Sequence, residues 1–493
     1  MICPPCRSLH PRTLKTENME ALLQYCWKHR IFPSERLTAA DGREIEVIDP
    51  GLQNFDAGPD FFNAKIRIAG DVWAGNVEIH TRREEWYAHG HDRDSAYDNV
   101  ILHVVRSNPP AARSHSCRDE MAEYGSVSPD FIYANEGRLQ EYAASQSKVG
   151  VKTSAGRIVP EISMPVPQYI EDNYAALAAT DAYPPCYRII PSLSPLIITS
   201  WMAALQTERL MRKTEDITKT LNLLNGDWEH TFFTTLARSM GFGSNSDNLE
   251  IWARDMPLNN ASHHRDNLFQ IEALFFGQAG LLNVAAVHER MKLETAADPY
   301  FQRLSNEYAY LSHKFRLQQQ RPPQWKFMRM RPQNFPHIRI AQLARLFNER
   351  RASLSQLLEC TDVKHLILLL RCGVSEYWET HYTFGHESKP SSKQLSASSI
   401  NSIAINCAIP ILFAYGRHNA DEALCQRALD LLEALPAEDN NIIRLWQEVG
   451  LKLHTAADTQ ALIQLKNRYC DRRDCLRCRF GHEHLRRDTR KQL

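Results

Sequence analysis

Apolar residues recur at helical spacing from Met19, in MEALLQYCWKHRIF, and the pattern then changes character. Between Glu44 and Val105 the segments EIEVI, FNAKIRIAG, VWAGNVEIH and NVILHVV read as strands. They are separated by the turn-rich PGLQNFDAGPD and by a short helix-like TRREEWYAHGH. Val100 to Val105 is almost wholly apolar, as expected of a strand covered on both faces. In VWAGNVEIH the alternation puts Asn76, Glu78 and His80 on one face and turns Val77 and Ile79 into the core. From Arg106 to about Gly150 the text is Pro-Pro, Ser and Ala with little periodicity, which predicts a loop or insertion. From Ser194 to Arg468 helical spacing dominates, for example in SPLIITSWMAALQTERLMRKTEDITKTL and QIEALFFGQAGLL, and no internal repeat is present.

The pattern predicts an α+β protein: a tail at 1–18, an α/β core at 19–106, an insertion at 107–160, a helical domain at 161–468 and a Cys-rich basic tail at 469–493. Composition adds exclusions. The chain has 493 residues, 58 Lys+Arg against 58 Asp+Glu, 43% apolar residues, 25 Pro and 20 Gly, which excludes disorder, collagen and coiled coil. Its longest apolar runs, such as Leu366 to Leu370, fall far below the roughly 18 residues of a membrane span. The first residues, MICPPCRSLHPRTLKTEN, have no apolar stretch for a secretory signal, so a reducing cytoplasm is the expected compartment. Twelve Cys are too dilute for a disulfide scaffold, which directs attention to metal chemistry. Cys3-Pro4-Pro5-Cys6 has the spacing of a redox dithiol but follows no strand, so it reads as tail. Zero net charge excludes a histone-like polyanion binder and leaves local basic patches open.

The chemistry centres on Gly58-Pro59-Asp60 and Glu78-Ile79-His80. Two carboxylates converging from adjacent strands make a hard-oxygen site for Mg²⁺ or Mn²⁺, ions that activate water for phosphodiester hydrolysis. The layout resembles the PD-(D/E)xK nuclease motif, with His80 where that pattern has lysine. It implies a restriction-endonuclease-like core in which Asp60 and Glu78 hold the metal and His80 positions or deprotonates water, binds metal itself, or marks lost activity. Lys65 is a conceivable replacement, but simple alternation sets it on the opposite face from Asp60. Asn54 and Asp56 crowd further acceptors into the same turn. Trp86, His89, His91, Asp94, Tyr97 and His103 follow closely, and imidazole suits Zn, Fe and Mn better than Mg, so the alternatives to a nuclease are a non-catalytic nucleic-acid-binding protein with a degenerate site and a His-rich transition-metal hydrolase. His103 and Trp86 read individually as core residues.

The run NFDAGPDFFNAKI, WAGNVEIH and EWYAHGHDRDSAYDNVILHVV is followed downstream by QIEALFFGQAG, EYAYLSHKF, WKFMRMRPQNFPHIRIAQLA, PAEDNNIIRLW and QALIQLKNRYCDRRDCLRC. Together these are similar to the bacterial family catalogued as domain of unknown function 2851, from about Met19 to Leu485. The resemblance brings no activity with it, and the chain departs from it mainly near Arg106 to Gly150.

Two further constellations stand apart. Cys470, Cys475 and Cys478 are spaced as ligands of an iron–sulfur cluster or of Zn²⁺, with Cys186 preferred over His482 as the fourth ligand. Some recombination nucleases similarly tie a distant Cys to a C-terminal trio around a [4Fe–4S] cluster. Lys326, Arg329, Arg331 and Arg339, interleaved with Trp325, Phe327 and Phe335 and free of acids, form a basic aromatic strip suited to nucleic acid. The competing expectation is that these arginines pair with Glu272 or Glu307.

Overall fold

The computed structural model describes residues 16–32, 37–106, 150–180, 183–287, 289–317 and 323–487. The chain forms two units: one runs to Leu193 and takes in the residues from Arg468, the other is Ser194–Asn467. Cys3 and Cys6 lie outside the described residues.

The first unit opens with α1 (Thr16–Lys28). Its strands are β1 (Leu37–Thr38), β2 (Glu44–Asp49), β3 (Leu52–Gln53), β4 (Phe61–Ile68), β5 (Asp71–His80), β6 (Val100–Arg106), β7 (Val151–Lys152), β8 (Ile158–Val159) and β9 (Glu161–Met164). The main sheet has the order β1-β2-β4-β5-β6-β9, with β3 against β4. Neighbours are antiparallel up to β5, whereas β5/β6 and β6/β9 are parallel. A parallel step needs a crossover, and it contains the short helix α2 (Glu85–Ala88). Every residue from Val100 to Val105 is buried, as its unbroken apolar text requires. On α1, Leu22, Leu23, Cys26 and Trp27 are fully buried, so Glu20 and Gln24, one turn apart, share a neighbouring stripe.

A β-bulge sits beside the motif. Phe61 pairs with Val77 and Ala64 with Gly75, so two residues of β4 oppose one of β5, with Asn63 at φ 55°. The extra residue reverses the side-chain parity. Phe61 and Ala64 are both buried despite their odd separation, and Lys65 therefore lies on the face opposite Phe61. Lys65 is exposed and pairs with Ala74, several registers from Glu78.

The sheet also runs past residue 160. Strand β9 and helix α3 (Gln168–Ala179) belong to the first unit, because Glu161 and Ile162 continue the parallel ladder of His103 and Val104. Within 107–160, β7 and β8 form an antiparallel hairpin, and 107–149 lie outside the described residues. Helix α1 begins at Thr16, inside the expected tail.

The second unit is almost wholly helical. Its core is a continuous aromatic and aliphatic cluster in which Phe233, Trp252 and Phe347 pack around Phe275 at centroid distances of 5.3 to 5.7 Å. Ala397–His418 is long and apolar enough to cross a membrane, but 67% of its most apolar window is buried within the protein, as in a core helix.

Gly75 shows how tightly β5 meets β6. A Cβ there would lie 2.4 Å from Ile101 Cγ2 and 2.7 Å from the Asn99 carbonyl oxygen. Gly75→Ala is expected to destabilise the fold by about 1–3 kcal/mol, read as a lowered Tm. An unchanged Tm would show that the seam is looser than this geometry.

Candidate metal centre

Glu78 is buried at the end of β5, and its Oε2 accepts the backbone N–H of Asp60 at 3.0 Å. Asp60 Oδ2 accepts the Ile79 N–H at 2.9 Å, and Oδ1 accepts Gln24 Nε2 of α1 at 2.8 Å. Each carboxylate is thus fastened to the other's strand, and the bulge delivers Asp60 opposite Glu78. Burial, then the charge of Glu78, pushes Asp60 up to about 8. Burial, aided by Glu20, pushes Glu78 up to about 8. Glu20 itself rises to about 7 through burial, Asp60 and Glu85. Glu20 is a third carboxyl group that the motif does not name; its trace in the sequence is an acid one turn before Gln24 on an amphipathic helix.

The turn preceding Asp60 is closed by Asn54, whose Nδ2 donates to the carbonyls of Asp56, Ala57 and Pro59 at 3.1 to 3.3 Å. Asn54 and Asp56 therefore build the turn rather than enlarge the ligand set. Asp94 caps the turn Ser95–Tyr97 by accepting from Ala96 N–H at 2.9 Å.

His80 does not stand in for a lysine cation. Burial first, then His103, His91 and His89, lowers it to about 2, so the ring is neutral. Its Nδ1 lies 2.9 Å from His103 Nε2, and His103 Nδ1 lies 3.0 Å from Glu161 Oε2. His80 Nε2 lies 3.3 Å from His89 Nδ1 and 3.5 Å from Glu78 Oε1. His91 Nε2 reaches within 3.3 Å of the same Glu78 oxygen. Tyr97 stacks on His91 at 3.8 Å. Trp86 stands edge-on to His91 and His103 and donates to the Lys152 carbonyl at 3.0 Å. Trp86 and His103 are both the core residues they read as, and the fully buried His103, bonded at both ring nitrogens, also connects His80 to Glu161.

The four expected cysteines also come together within the first unit. Cys186, Cys470, Cys475 and Cys478 are all buried. Burial and the three other thiols push Cys186 well up, in the order Cys478, Cys470, Cys475. Burial raises Cys475 to about 11. The backbone closes tightly here: a Cβ on Gly481 would lie 2.1 Å from the Cys475 carbonyl oxygen. His482 turns elsewhere, its Nδ1 lying 2.9 Å from Tyr25 Oη. Among the described residues, no three of the four sulfurs lie within 4.8 Å of one another.

The basic strip is split. Lys326, Arg329 and Arg331 are exposed. Arg339 is not: at 5% exposure it donates to Gln342 Oε1 and Asn334 Oδ1 and lies over the Phe242 ring at 4.6 Å. It lies in helix Pro336–Asn348, where every residue from Pro336 to Ala344 is buried, which removes it from any nucleic-acid surface. The aromatics are partly packed, with Trp325 Nε1 donating to the Ala279 carbonyl and Phe327 edge-on to Phe335. Glu272 accepts from Tyr300 and Trp378, and Glu307 from Gln270. The acids proposed as partners of the strip are thus engaged by other groups.

The raised carboxyls fix the sign of a pH effect. In the unfolded chain they ionise near pH 4. Folded Asp60 and Glu78 keep their protons until about 8. Between these limits the folded state binds more protons, so their contribution to stability is full below pH 4 and is lost as pH rises through 8. In metal-free protein the Tm should fall between about pH 5 and about pH 9, less steeply in Asp60→Asn. Identical slopes in the two proteins would contradict the buried, proton-holding pair.

No curated protein and no solved structure was matched. The family described as Protein of unknown function (DUF2851) matches residues 20–117 and 144–441, which include the carboxyl and imidazole groups of the centre and Cys186. The chain belongs to that family.

Proposed function

We propose that the protein is a metal-dependent phosphodiesterase acting on nucleic acid, with Glu20, Asp60 and Glu78 as the hard-oxygen ligands of Mg²⁺ or Mn²⁺. The observation that carries this reading is the meeting of the buried carboxyls Asp60 and Glu78, each bonded to the other's strand, with Glu20 of α1 beside them; burial first, then their charges, holds protons that a divalent cation would replace. The succession of a helix, an antiparallel run of five strands, a short helix and a parallel strand supports a restriction-endonuclease-like core. A water activated on the metal would attack phosphorus, and the P–O bond to the leaving hydroxyl would break, giving a phosphate monoester and an alcohol. Within the second unit, the exposed Lys326, Arg329 and Arg331 form a basic strip of their own that would hold a phosphate backbone. Cleavage of single-stranded DNA, duplex DNA and RNA with Mg²⁺ or Mn²⁺ is the test. Glu20→Gln, Asp60→Asn and Glu78→Gln should each lower the rate by about 100-fold or more. Wild-type cleavage by Asp60→Asn would overturn the reading, and wild-type binding without turnover would select a non-catalytic nucleic-acid-binding protein.

For the cysteines we propose an iron–sulfur cluster. Zn–S bonds of about 2.3 Å give a tetrahedron with edges of about 3.8 Å. The four sulfurs are spread more widely than a single-ion site asks. A reducing cytoplasm would keep such thiols available as ligands. Anaerobically purified protein should carry iron, sulfide and a visible absorption band, all lost in Cys475→Ser. Stoichiometric zinc without iron would select the single ion, and neither metal would remove the site.

A further inference from the structure

One nitrogen from each of His80, His89 and His91 lies within 4.8 Å of the others, the group of three such ligand atoms found among the described residues. The spacings are specific. Zn–N bonds of about 2.0–2.1 Å give tetrahedral edges of about 3.3–3.4 Å. The edge from His80 to His89 is 3.3 Å, while Glu78 Oε1 lies 3.5 Å from His80 and 3.3 Å from His91 without belonging to the mutually close trio. His91 Nε2 is buried and makes no hydrogen bond despite its nearness to Glu78, so an inward-facing polar atom is left to be satisfied.

The surrounding groups assign the proton positions. Glu161 accepts from His103 Nδ1–H, which leaves His103 Nε2 as an acceptor and makes His80 Nδ1 the donor to it. His80 Nε2 then carries a lone pair aimed at the cluster. A carboxylate or carbonyl behind a ligating imidazole is the usual device for fixing a metal ligand, and here it acts through a second imidazole. Tyr97, stacked on His91, holds that ring in place.

We infer that His80, His89 and His91, with Glu78 beside two of them, form a site for one first-row transition ion of the Zn²⁺ or Fe²⁺ class, distinct from the hard-oxygen position. Three nitrogen donors disfavour Mg²⁺ and Ca²⁺. Glu78 serves both positions, with Oε1 toward the imidazoles and Oε2 toward Asp60, so an ion among the histidines would fix the carboxylate that the oxygen site uses. His89 is the exposed member and marks the side of entry. The inference shares Glu78 with the phosphodiesterase reading but does not depend on cleavage.

The test is a Zn²⁺ titration of the chelator-stripped full chain against a chromophoric chelator, paired with the visible bands of bound Co²⁺. Cys186, Cys470, Cys475 and Cys478 are kept in every variant, and their thiolate charge-transfer bands separate them from the imidazole site. His89→Ala, at an exposed position, should fold as wild type and lose one tight Zn²⁺ per chain. His91→Gln should do the same, and Glu161→Gln should weaken binding by about 10–100-fold. Glu20→Gln should leave Zn²⁺ affinity unchanged while removing Mg²⁺-dependent cleavage, so failure of either idea is seen without the other. Zn²⁺ stoichiometry and affinity unchanged in His89→Ala would overturn the site, as would a wild-type preference for Mg²⁺ over Zn²⁺. If His91→Gln does not fold, His89→Ala decides alone.

Discussion

The first unit is organised around a carboxylate that has no business being buried. Glu78 is 5% exposed at the point where antiparallel pairing gives way to parallel pairing, and burying an ionised carboxylate without compensation is among the costliest things a fold can do. The fold avoids that cost by protonation, since burial keeps the proton on Glu78 up to about 8, and polar groups stand on two sides of it. The backbone of Asp60 donates to one oxygen, and two imidazoles gather at the other. Asp60 and Glu20, drawn in by the same packing, add repulsion and hold protons.

That tension is placed by backbone features. The bulge at Asn63 brings Asp60 level with Glu78, and Gly75 lets β6 approach closely enough for His103 to meet His80. On the far side of β6, parallel β9 supplies Glu161, so a chain of hydrogen-bonding side chains runs through three adjacent strands. Strands fix these groups more rigidly than loops would, and only His89 and His91 come from the crossover. The neutral imidazoles follow from the same dryness that raises the carboxyls: burial penalises the charged form of both.

How much of this was legible depends on how local each determinant is. Asp60, Glu78 and His80 were readable because strand alternation and a Gly-Pro turn are written within a few residues. The trio Cys470, Cys475 and Cys478 announces itself by spacing. Lys65 was misplaced because a bulge inserts one residue and reverses parity, and Asn63 in a left-handed conformation gives little warning of it. Arg339 reads as part of a charged strip, yet it lies beside Phe242 in a helix stretch that is buried all round. The nearby Arg329 and Arg331 remain outside because they precede that helix.

The sequence by itself determined the division into a strand-rich part and a helical part, the carboxyl pair, the abundance of histidine and the cysteine spacing, since each is carried by short-range periodicity and residue chemistry. Only the tertiary structure decided that Glu20 joins the carboxyls, that His103 and Glu161 stand behind His80, and that Glu78 faces histidines on one side and Asp60 on the other. The reason is that these contacts join residues far apart in sequence through helix-on-sheet and strand-to-strand packing, which no local pattern encodes.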